Sequence, residues 1–359
     1  MNIPKDFAQY KRILVTGGAG FIGSNLIKKV LSESNSKVFN IDFLDYSSDV
    51  DFIKKSTTND PRHVHLNVDL RNQEETNLAL MNANPDLVIH LAAQSHVDRS
   101  IDQPKDFIES NIIGTFNLLE ASRKHWANLS LDRKNFFKFH HVSTDEVFGT
   151  LGDKGKFSET TPYSPRSPYS ASKASSDHLV QAWYHTFNLP VVITNCSNNF
   201  GPNQFPEKLI PLSILKALNG EKIPIYGNGK NIRDWLFVED HVNALLIVAS
   251  KGVVGKSYCI SGNNERENLE IVNDICLLLD KYRPKNNSYS NQINFVKDRP
   301  GHDKRYALDA SFIKKELGWE PVFSYKEGLE KTVLWYLENQ EWCKNIIKRS
   351  RFSMERLGL

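Results

Sequence analysis

The sequence predicts an α/β protein: a doubly wound parallel sheet with a smaller, interleaved C-terminal lobe. Three observations carry this expectation. Short apolar runs alternate with amphipathic helical stretches up to about residue 197, the pattern of successive strand–helix–strand units. The run "DLVIHLAA" is apolar without alternation, as in a parallel strand covered on both faces. The glycines of "TGGAGFIGS" fall directly between the first strand and the first helix.

Composition narrows the class. The chain has 359 residues, 40% hydrophobic and 24% charged, with a net charge of +3. That length supports a large core shared by two lobes, and the small charge points to neither a nucleic-acid nor a membrane partner. The basic run "KNIIKRSRFSMERL" is the exception, expected to form a solvated helix face. Cys196, Cys259, Cys276 and Cys343 lie far apart without CxxC or cysteine–histidine ligand spacing, so neither a disulfide framework nor a zinc site is expected. The polar start "MNIPKDFAQYK" lacks a signal peptide's apolar stretch. No apolar run approaches the ~18 residues that span a bilayer. The expected location is the cytoplasm.

In chain order, "KRILVTGGAGFIGSNLIKKVLSES" reads as strand, glycine turn and amphipathic helix. "KVFNIDFLD" is a second strand, and "VHLNVDLRN" a third, ending at Asp69. "DLVIHLAA" is the fourth, "FIESNIIGTFNLLEASRKHW" has helical periodicity, and "FFKFHHVST" is again a strand. "PYSASKASSDHLVQAWYHTF" is helical and "LPVVITNCSN" a strand. From about residue 198 the stretches "NNFGPNQFPEKLIP", "PIYGNGKNIRDW" and "KDRPGHDKRYALD" are rich in Gly, Pro, Asn and charge, and are expected as loops of the smaller lobe. "WLFVEDHVNALLIVAS" and "GKSYCISG" are expected to return to the main sheet. The expected partition is a dinucleotide-binding domain at 1–197 with 236–262 returning to it, and a substrate lobe at 198–235 and 263–359.

Gly17, Gly18, Gly20 and Gly23 permit a tight turn and close approach of backbone to a pyrophosphate, with the first N–H groups of the following helix facing the anion. Placement between strand and helix makes this a Rossmann-type signal. Asp42 ends the second strand, about 20 residues on, where a carboxylate accepts from ribose hydroxyls and repels a 2′-phosphate. The cofactor expected is NAD. Tyr169 and Lys173 stand four apart, on one face of a helix. A nearby ammonium is expected to lower the phenol's pKa from about 10 toward that of a useful base. The preceding strand delivers Ser143 and Thr144, then the adjacent acids Asp145 and Glu146. His90, His140 and His141 are expected to be packed or hydrogen-bonded, and His96 and Asp98 in "SHVDRS" lack a third ligand at metal spacing. No metal is expected.

The glycine turn, Asp42, Thr144, Tyr169 and Lys173 together resemble the extended short-chain dehydrogenase/reductase family. "HLAAQSHVDRSI", "STDEVFG", "SPYSASKASSDHLVQAW", "TNCSNNFGPNQFPEKLIPL", "PIYGNGKNIRDWLFVEDH" and "DRPGHDKRYALD" narrow it: they are similar to the dTDP-glucose 4,6-dehydratase family, in register from about residue 10 to about 340. The resemblance implies oxidation of a glucose hydroxyl at carbon 4, loss of water across carbons 5 and 6, and return of the hydride to carbon 6. It implies that Asp145 protonates the leaving hydroxyl and Glu146 takes the carbon-5 proton. Tyr169 takes the carbon-4 hydroxyl proton, Thr144 holds that oxygen, and Lys173 positions Tyr169 and the ribose. Further cofactor contacts implied are Phe21, Ile22, Asp69, Leu70, Leu91, Ala92, Ala93 and Asn199. For the substrate the matching positions are Lys208, Arg233, Arg299 and His302 at the diphosphate, with Ser95, Asn198, Glu207, Pro224, Tyr226 and Asn268. Departures from the family pattern are Phe148 and Phe200, where tyrosine is usual, Gln94 in place of glutamate, and a short "TLGDKGKF" after Gly149.

Two other activities fit parts of the pattern. UDP-glucose differs from dTDP-glucose in its base by one methyl, which a pocket discriminates by only ~1–3 kcal/mol. A nucleotide-sugar 4-epimerase would use the tyrosine and lysine but has no need of two acids beside Thr144. A silent NAD-binding regulator would not need to keep all five groups. The resemblance also implies a homodimer, paired through helices near 103–125 and 168–187, and leaves open the final deoxysugar, rhamnose or another.

Overall fold

Strand and helix alternate from the first strand onward in the computed structural model, which describes residues 3–350. The order is β1 (Arg12–Thr16), α1 (Phe21–Glu33), β2 (Lys37–Ile41), α2 (Val50–Asn59), β3 (His63–Leu66), α3 (Gln73–Ala83) and β4 (Leu87–His90). Then come α4 (Val97–Asp102), α5 (Pro104–Phe107), a π-helical stretch at Ile108–Ile113, α6 (Gly114–Ala127), α7 (Leu131–Phe136), β5 (Lys138–Thr144), α8 (Pro168–Phe187) and β6 (Val191–Cys196). The remainder is β7 (Asn198–Phe200), α9 (Leu209–Leu218), β8 (Ile223–Tyr226), β9 (Ile232–Phe237), α10 (Val238–Lys251), β10 (Ser257–Ile260) and β11 (Glu265–Glu267). It closes with α11 (Asn268–Tyr282), β12 (Ile293–Val296), α12 (Ser311–Leu317), α13 (Tyr325–Glu338) and α14 (Gln340–Ser350).

Seven parallel strands form the main sheet in the order β10-β6-β5-β4-β1-β2-β3. The order reverses between β1 and β4, and ligands of such sheets bind in the crevice beyond the carboxyl ends of the strands at that point. Thr16 is in register with His90 at those ends, and Thr144 with Cys196. Both faces of the sheet are covered. Ile13, Val15, Leu87, Ile89 and Leu245 belong to one apolar cluster, and Leu14, Val88, Leu118, Phe139 and Val191 to the other. The core histidines are hydrogen-bonded: His90 lies 2.7 Å from Thr16 Oγ1 and 2.9 Å from Thr115 Oγ1, and His140 lies 3.1 Å from Thr194 Oγ1.

The smaller lobe has its own core, with Phe200, Ile214, Ile223, Trp235, Ile271, Val333 and Tyr336. A three-stranded sheet, β11-β9-β7, and the pair β12-β8 frame it. Trp235–Phe237 therefore lies in β9 of the small sheet; only α10 and β10 run back to the large lobe, because an apolar strand does not reveal which sheet it joins. Ala310, Ile313 and Trp319 pack into the large lobe's core, although they fall in the range expected for the substrate lobe. β3 stops at Leu66 and leaves Asp69 in the following loop. The single helix expected over residues 107–126 is broken by the π-helical stretch, where Asn111 O accepts from both Thr115 Oγ1 and Ser176 Oγ. The basic run is described only to Ser350; its remainder lies outside the described residues. One side of α14 is packed, not solvated: Ile346 is buried, Trp342 Nε1 donates to Asp49 Oδ2 at 2.8 Å, and Arg349 donates to Ser48 O. No helix among the described residues is long and apolar enough to cross a membrane.

Buried Asp240, in the first turn of α10, joins the lobes by accepting from the backbone N–H groups of Val322 and Phe323, each at 3.0 Å. Asp240→Ala strands both donors, at roughly 1–3 kcal/mol per unpaired group. Denaturant unfolding should report a loss of that order.

Candidate active site

At the first turn the chain has no room for a side chain. Gly17 has φ +72°, and a Cβ there would lie 2.8 Å from the Ala92 backbone; one on Gly23 would lie 2.3 Å from Gly17 O. Gly20 is the N-cap of α1 and supplies no capping side chain, so the first-turn N–H groups are left for another partner. Gly17, Gly20, Phe21, Ile22 and Gly23 line a cavity of about 330 Å³ together with Asp42, Asp69, Leu70, Leu91, Ala92, Ala93 and Asn199. Asp42 Oδ2 accepts from Ala19 N at 3.0 Å, and Oδ1 from Leu44 N at 2.9 Å and Ser48 Oγ at 3.1 Å. A carboxylate has about four lone-pair sites, so one remains for a ribose hydroxyl. Arg71 reaches the same end, but its guanidinium is held by Asp69 at 2.6 Å. The uncapped helix turn and the unpartnered buried atoms Ser197 Oγ, Asn198 Oδ1 and Asn199 Oδ1 fit a dinucleotide with free ribose hydroxyls.

The acids follow from how β5 ends. All seven residues of β5 are buried; Thr144 then caps a single 3₁₀ turn, Asp145–Phe148, its hydroxyl accepting from Glu146 N at 3.3 Å. Asp145 is thereby carried inward. It is 1% exposed, Oδ1 accepts from Thr144 Oγ1 at 3.2 Å, and Oδ2 has no partner. Burial, then the charges of Glu146 and Asp234, push its carboxyl well above the usual range. Burial raises Glu146 as well, but Arg299, Arg233 and Lys208 all act to lower it. The two neighbours thus meet unlike surroundings. Tyr169 and Lys173, both buried, face the same cavity as Thr144, Asp145 and Glu146. The expected lowering of the Tyr169 phenol by Lys173 is not supplied by the protein alone: burial and then Glu146 push it well above the ordinary value, while Lys173 Nζ is directed to Val142 O at 2.9 Å.

A second cavity, about 210 Å³, adjoins the first and is lined by Pro224, Tyr226, Arg233, Asn268, Arg299 and His302. Ser95, Glu146, Asn198, Glu207 and Lys208 line both; of the residues expected to act on cofactor or substrate, Gly18 alone lies on neither, packed against Asn40 and Ile27. Lys208 Nζ donates to Ser95 O at 2.8 Å. Glu207 has both oxygens engaged, by Tyr46 OH and Arg99 Nε at 2.9 Å each. The departures are accommodated: Phe148 stacks on Phe157 and meets Tyr163 edge-on, Phe200 packs against Trp235 and Phe237, and Gln94 Nε2 donates to Asp45.

Several residues at these cavities went unassigned in the sequence. Asp98, 3% exposed on α4, accepts from Tyr226 OH at 2.6 Å and from Arg299 Nη1 at 3.1 Å. Its neighbour Arg99 lies 3.9 Å from the Tyr46 ring centroid. Tyr306 lines the second cavity with the Arg233 guanidinium 4.2 Å from its ring centroid. Asp98 and Arg99 belong to the stretch "SHVDRS", but their partners lie across the chain and no local spacing announces them.

A glycine turn at the switch point, an acid closing β2 and a tyrosine–lysine pair on α8 are the marks of an extended short-chain dehydrogenase/reductase. The comparisons take this further. A family profile described as GDP-mannose 4,6 dehydratase matches residues 14–332. The dTDP-glucose 4,6-dehydratase of Neisseria meningitidis serogroup B is 51% identical over 353 residues, 97% of this chain and 99% of that relative. Among solved structures, the Bacillus anthracis dTDP-glucose 4,6-dehydratase in complex with NAD has a TM-score of 0.81 at 42% identity, covering 93% of this chain and 99% of that one. The Streptomyces venezuelae dTDP-glucose 4,6-dehydratase "with NAD and TYD bound" has a TM-score of 0.84 at 38% identity, with the same coverage. The chain belongs to this 4,6-dehydratase family, and within it to the dTDP-glucose 4,6-dehydratases.

The environment of Asp145 has a measurable cost. A carboxyl whose pKa is raised by folding binds more protons folded than unfolded, so stability falls as pH rises above its ordinary value of 3.8. Asp145→Asn removes that penalty. Thermal melts should show the variant more stable than wild type at neutral pH, with the gap closing as pH approaches 3.8.

Proposed function

We propose that the chain is an NAD-dependent hydro-lyase that converts dTDP-glucose to dTDP-4-keto-6-deoxyglucose and water. Bound NAD supplies a reversible two-electron acceptor, taking hydride from carbon 4 and returning it to carbon 6 within one turnover. The chain's own groups supply the proton chemistry. Tyr169 accepts the proton of the carbon-4 hydroxyl, with Thr144 holding that oxygen. Once carbon 4 is a ketone, the carbon-5 proton is acidic enough for the Glu146 carboxylate to remove. Asp145, neutral, donates a proton to the departing carbon-6 hydroxyl. Lys173 positions Tyr169 and the nicotinamide ribose.

The single observation that carries this reading is the unlike treatment of the two acids. Asp145 is sealed with an unpartnered oxygen, whereas Glu146 lies under the influence of three cations. Environments that push paired carboxyls apart divide acid and base roles between them. A 4-epimerase has no use for such a pair, and its presence favours dehydration. The second cavity suits a diphosphate: arginine forks match phosphate oxygens, and Arg233, Arg299 and Lys208 line it beside Asp98, Glu146 and Glu207. In this reading the large lobe holds the cofactor and the smaller lobe the nucleotide, with Tyr226 and Asn268 toward the base. The enzyme is further proposed to be a cytoplasmic homodimer, paired through α5, α6 and α8, in deoxysugar biosynthesis such as that of rhamnose. Exposed Ile108 and Ile113, and Phe187 at the end of α8, support that choice of surface.

Incubation with dTDP-, UDP-, CDP- and GDP-glucose, without added cofactor, tests the reading. The alkali-induced absorbance of a 4-keto-6-deoxy sugar is expected fastest with dTDP-glucose; no product with any of the four would refute it. Asp145→Asn should leave carbon-4 oxidation detectable while slowing water loss, typically ~10²–10⁴-fold for loss of a general acid. Reduced cofactor should then accumulate on the protein, seen by its near-ultraviolet absorbance.

A further inference from the structure

Below the tyrosine–lysine pair α8 carries another acid. Tyr169, Lys173 and Asp177 are spaced by four residues along one helix, so all three share a face. Asp177 is 1% exposed, at a depth where ionised carboxylates occur only when paired and hydrogen-bonded. Its Oδ2 accepts from Ser143 Oγ at 2.7 Å, Tyr163 OH at 2.8 Å and Asn195 Nδ2 at 3.3 Å. These donors come from β5, the following loop and β6, and together with the His141 imidazole and the Lys173 ammonium they hold the carboxyl below the usual range despite its burial.

The other oxygen faces His141. Asp177 Oδ1 lies 3.1 Å from His141 Nε2, and the same nitrogen lies 3.4 Å from Lys173 Nζ. Lysine, imidazole and carboxylate thus form a buried file leading away from the active site. The proposed chemistry uses the top of this file and leaves His141 and Asp177 without a purpose. Resting on the reading of Lys173 given above, we propose that Asp177, which faces the Lys173 ammonium across a single imidazole nitrogen, is a positioning residue of this reaction: its carboxylate attracts the ammonium electrostatically from beneath and keeps it charged.

Physical chemistry requires some such partner. Burial without a counter-ion lowers a lysine's pKa, in documented extremes to roughly 5–6. The chain contains its own comparison at the opposite end of β5. Lys138 is buried against the carbonyls of Ala249 and Gly252, each at 2.8 Å, and burial pushes it down to about 8. Lys173 has only one carbonyl, Val142 O, but it also has Asp177. The groups facing Lys173 from the packed elements are His141 on β5, Cys196 on β6, Tyr169 and Asp177 on α8, and, behind His141, His90 on β4 at a ring-centroid separation of 5.2 Å. Burial lowers both histidines, raises the Tyr169 phenol and raises Cys196 to about 12. Asp177 is the anion in this set.

The test is the pH profile of kcat/KM for dTDP-glucose in the holoenzyme and in Asp177→Asn and Asp177→Glu. If Asp177 holds the ammonium, the alkaline limb moves down by at least about one pH unit in Asp177→Asn, a tenfold change in proton concentration, and returns toward wild type in Asp177→Glu. An Asp177→Asn limb coincident with wild type, at whatever plateau height, overturns the proposal. Should Asp177→Asn not fold, the wild-type protein decides: in the pH dependence of acylation by a small amine reagent, read by mass spectrometry, the midpoint of Lys173 is expected above that of Lys138, and a midpoint at or below that of Lys138 overturns the proposal. Lys173→Ala is the control on the underlying reading. Full activity there would remove the role of Lys173 itself, an outcome separate from an unmoved Asp177→Asn profile.

Discussion

Two adjacent carboxyls are desolvated at the carboxyl end of β5, and much of the structure is arranged around that constraint. A strand buried along its whole length cannot end on two acids without cost. The 3₁₀ turn resolves it by sending the side chains to different places. Asp145 goes into a pocket that favours its neutral form, and Glu146 goes to the seam between cavities, where cations from the smaller lobe face it. Remove the smaller lobe and Glu146 would lose Arg233 and Arg299, so the chemistry of β5 depends on elements far along the chain.

The seam is held by α4, a helix of six residues. Successive side chains on it reach in opposite directions, Asp98 to Tyr226 and Arg299, Arg99 to Glu207 and Tyr46. One short helix therefore sets the position of Arg299 and of the loop beside the first cavity. These pairs are substantially buried, and breaking one partner would leave an uncompensated charge. The outer side of that loop is fastened by α14 through Trp342 and Arg349. The cofactor crevice is thus braced from both sides.

How much of this was legible in the sequence follows from the range of each signal. The helix expected at residues 168–187 has those bounds in the structure, because a Ser-Pro start and a left-handed Asn188 are local. The glycine turn was legible for the same reason. What escaped were contacts of long range: Asp98 with Arg299 spans 201 residues, and Arg99 with Glu207 spans 108. Trp235–Phe237 was assigned to the wrong sheet since apolar strands of both sheets look alike. Residues 108–113 read as ordinary helix, because widening to a π-turn to serve Thr115 and Ser176 leaves no mark on periodicity. Asp177 was passed over because its partners, Ser143, Tyr163 and Asn195, lie on other elements.

The central claim is that at neutral pH Asp145 is a carboxylic acid while Glu146 is the readier to ionise. Infrared difference spectra, subtracting Asp145→Asn and Glu146→Gln from wild type as pH is varied, read this directly. The account predicts that the carbonyl band of a neutral carboxyl, present at neutral pH, disappears in Asp145→Asn and persists in Glu146→Gln. A band that disappears only with Glu146→Gln, or no such band at all, would contradict it.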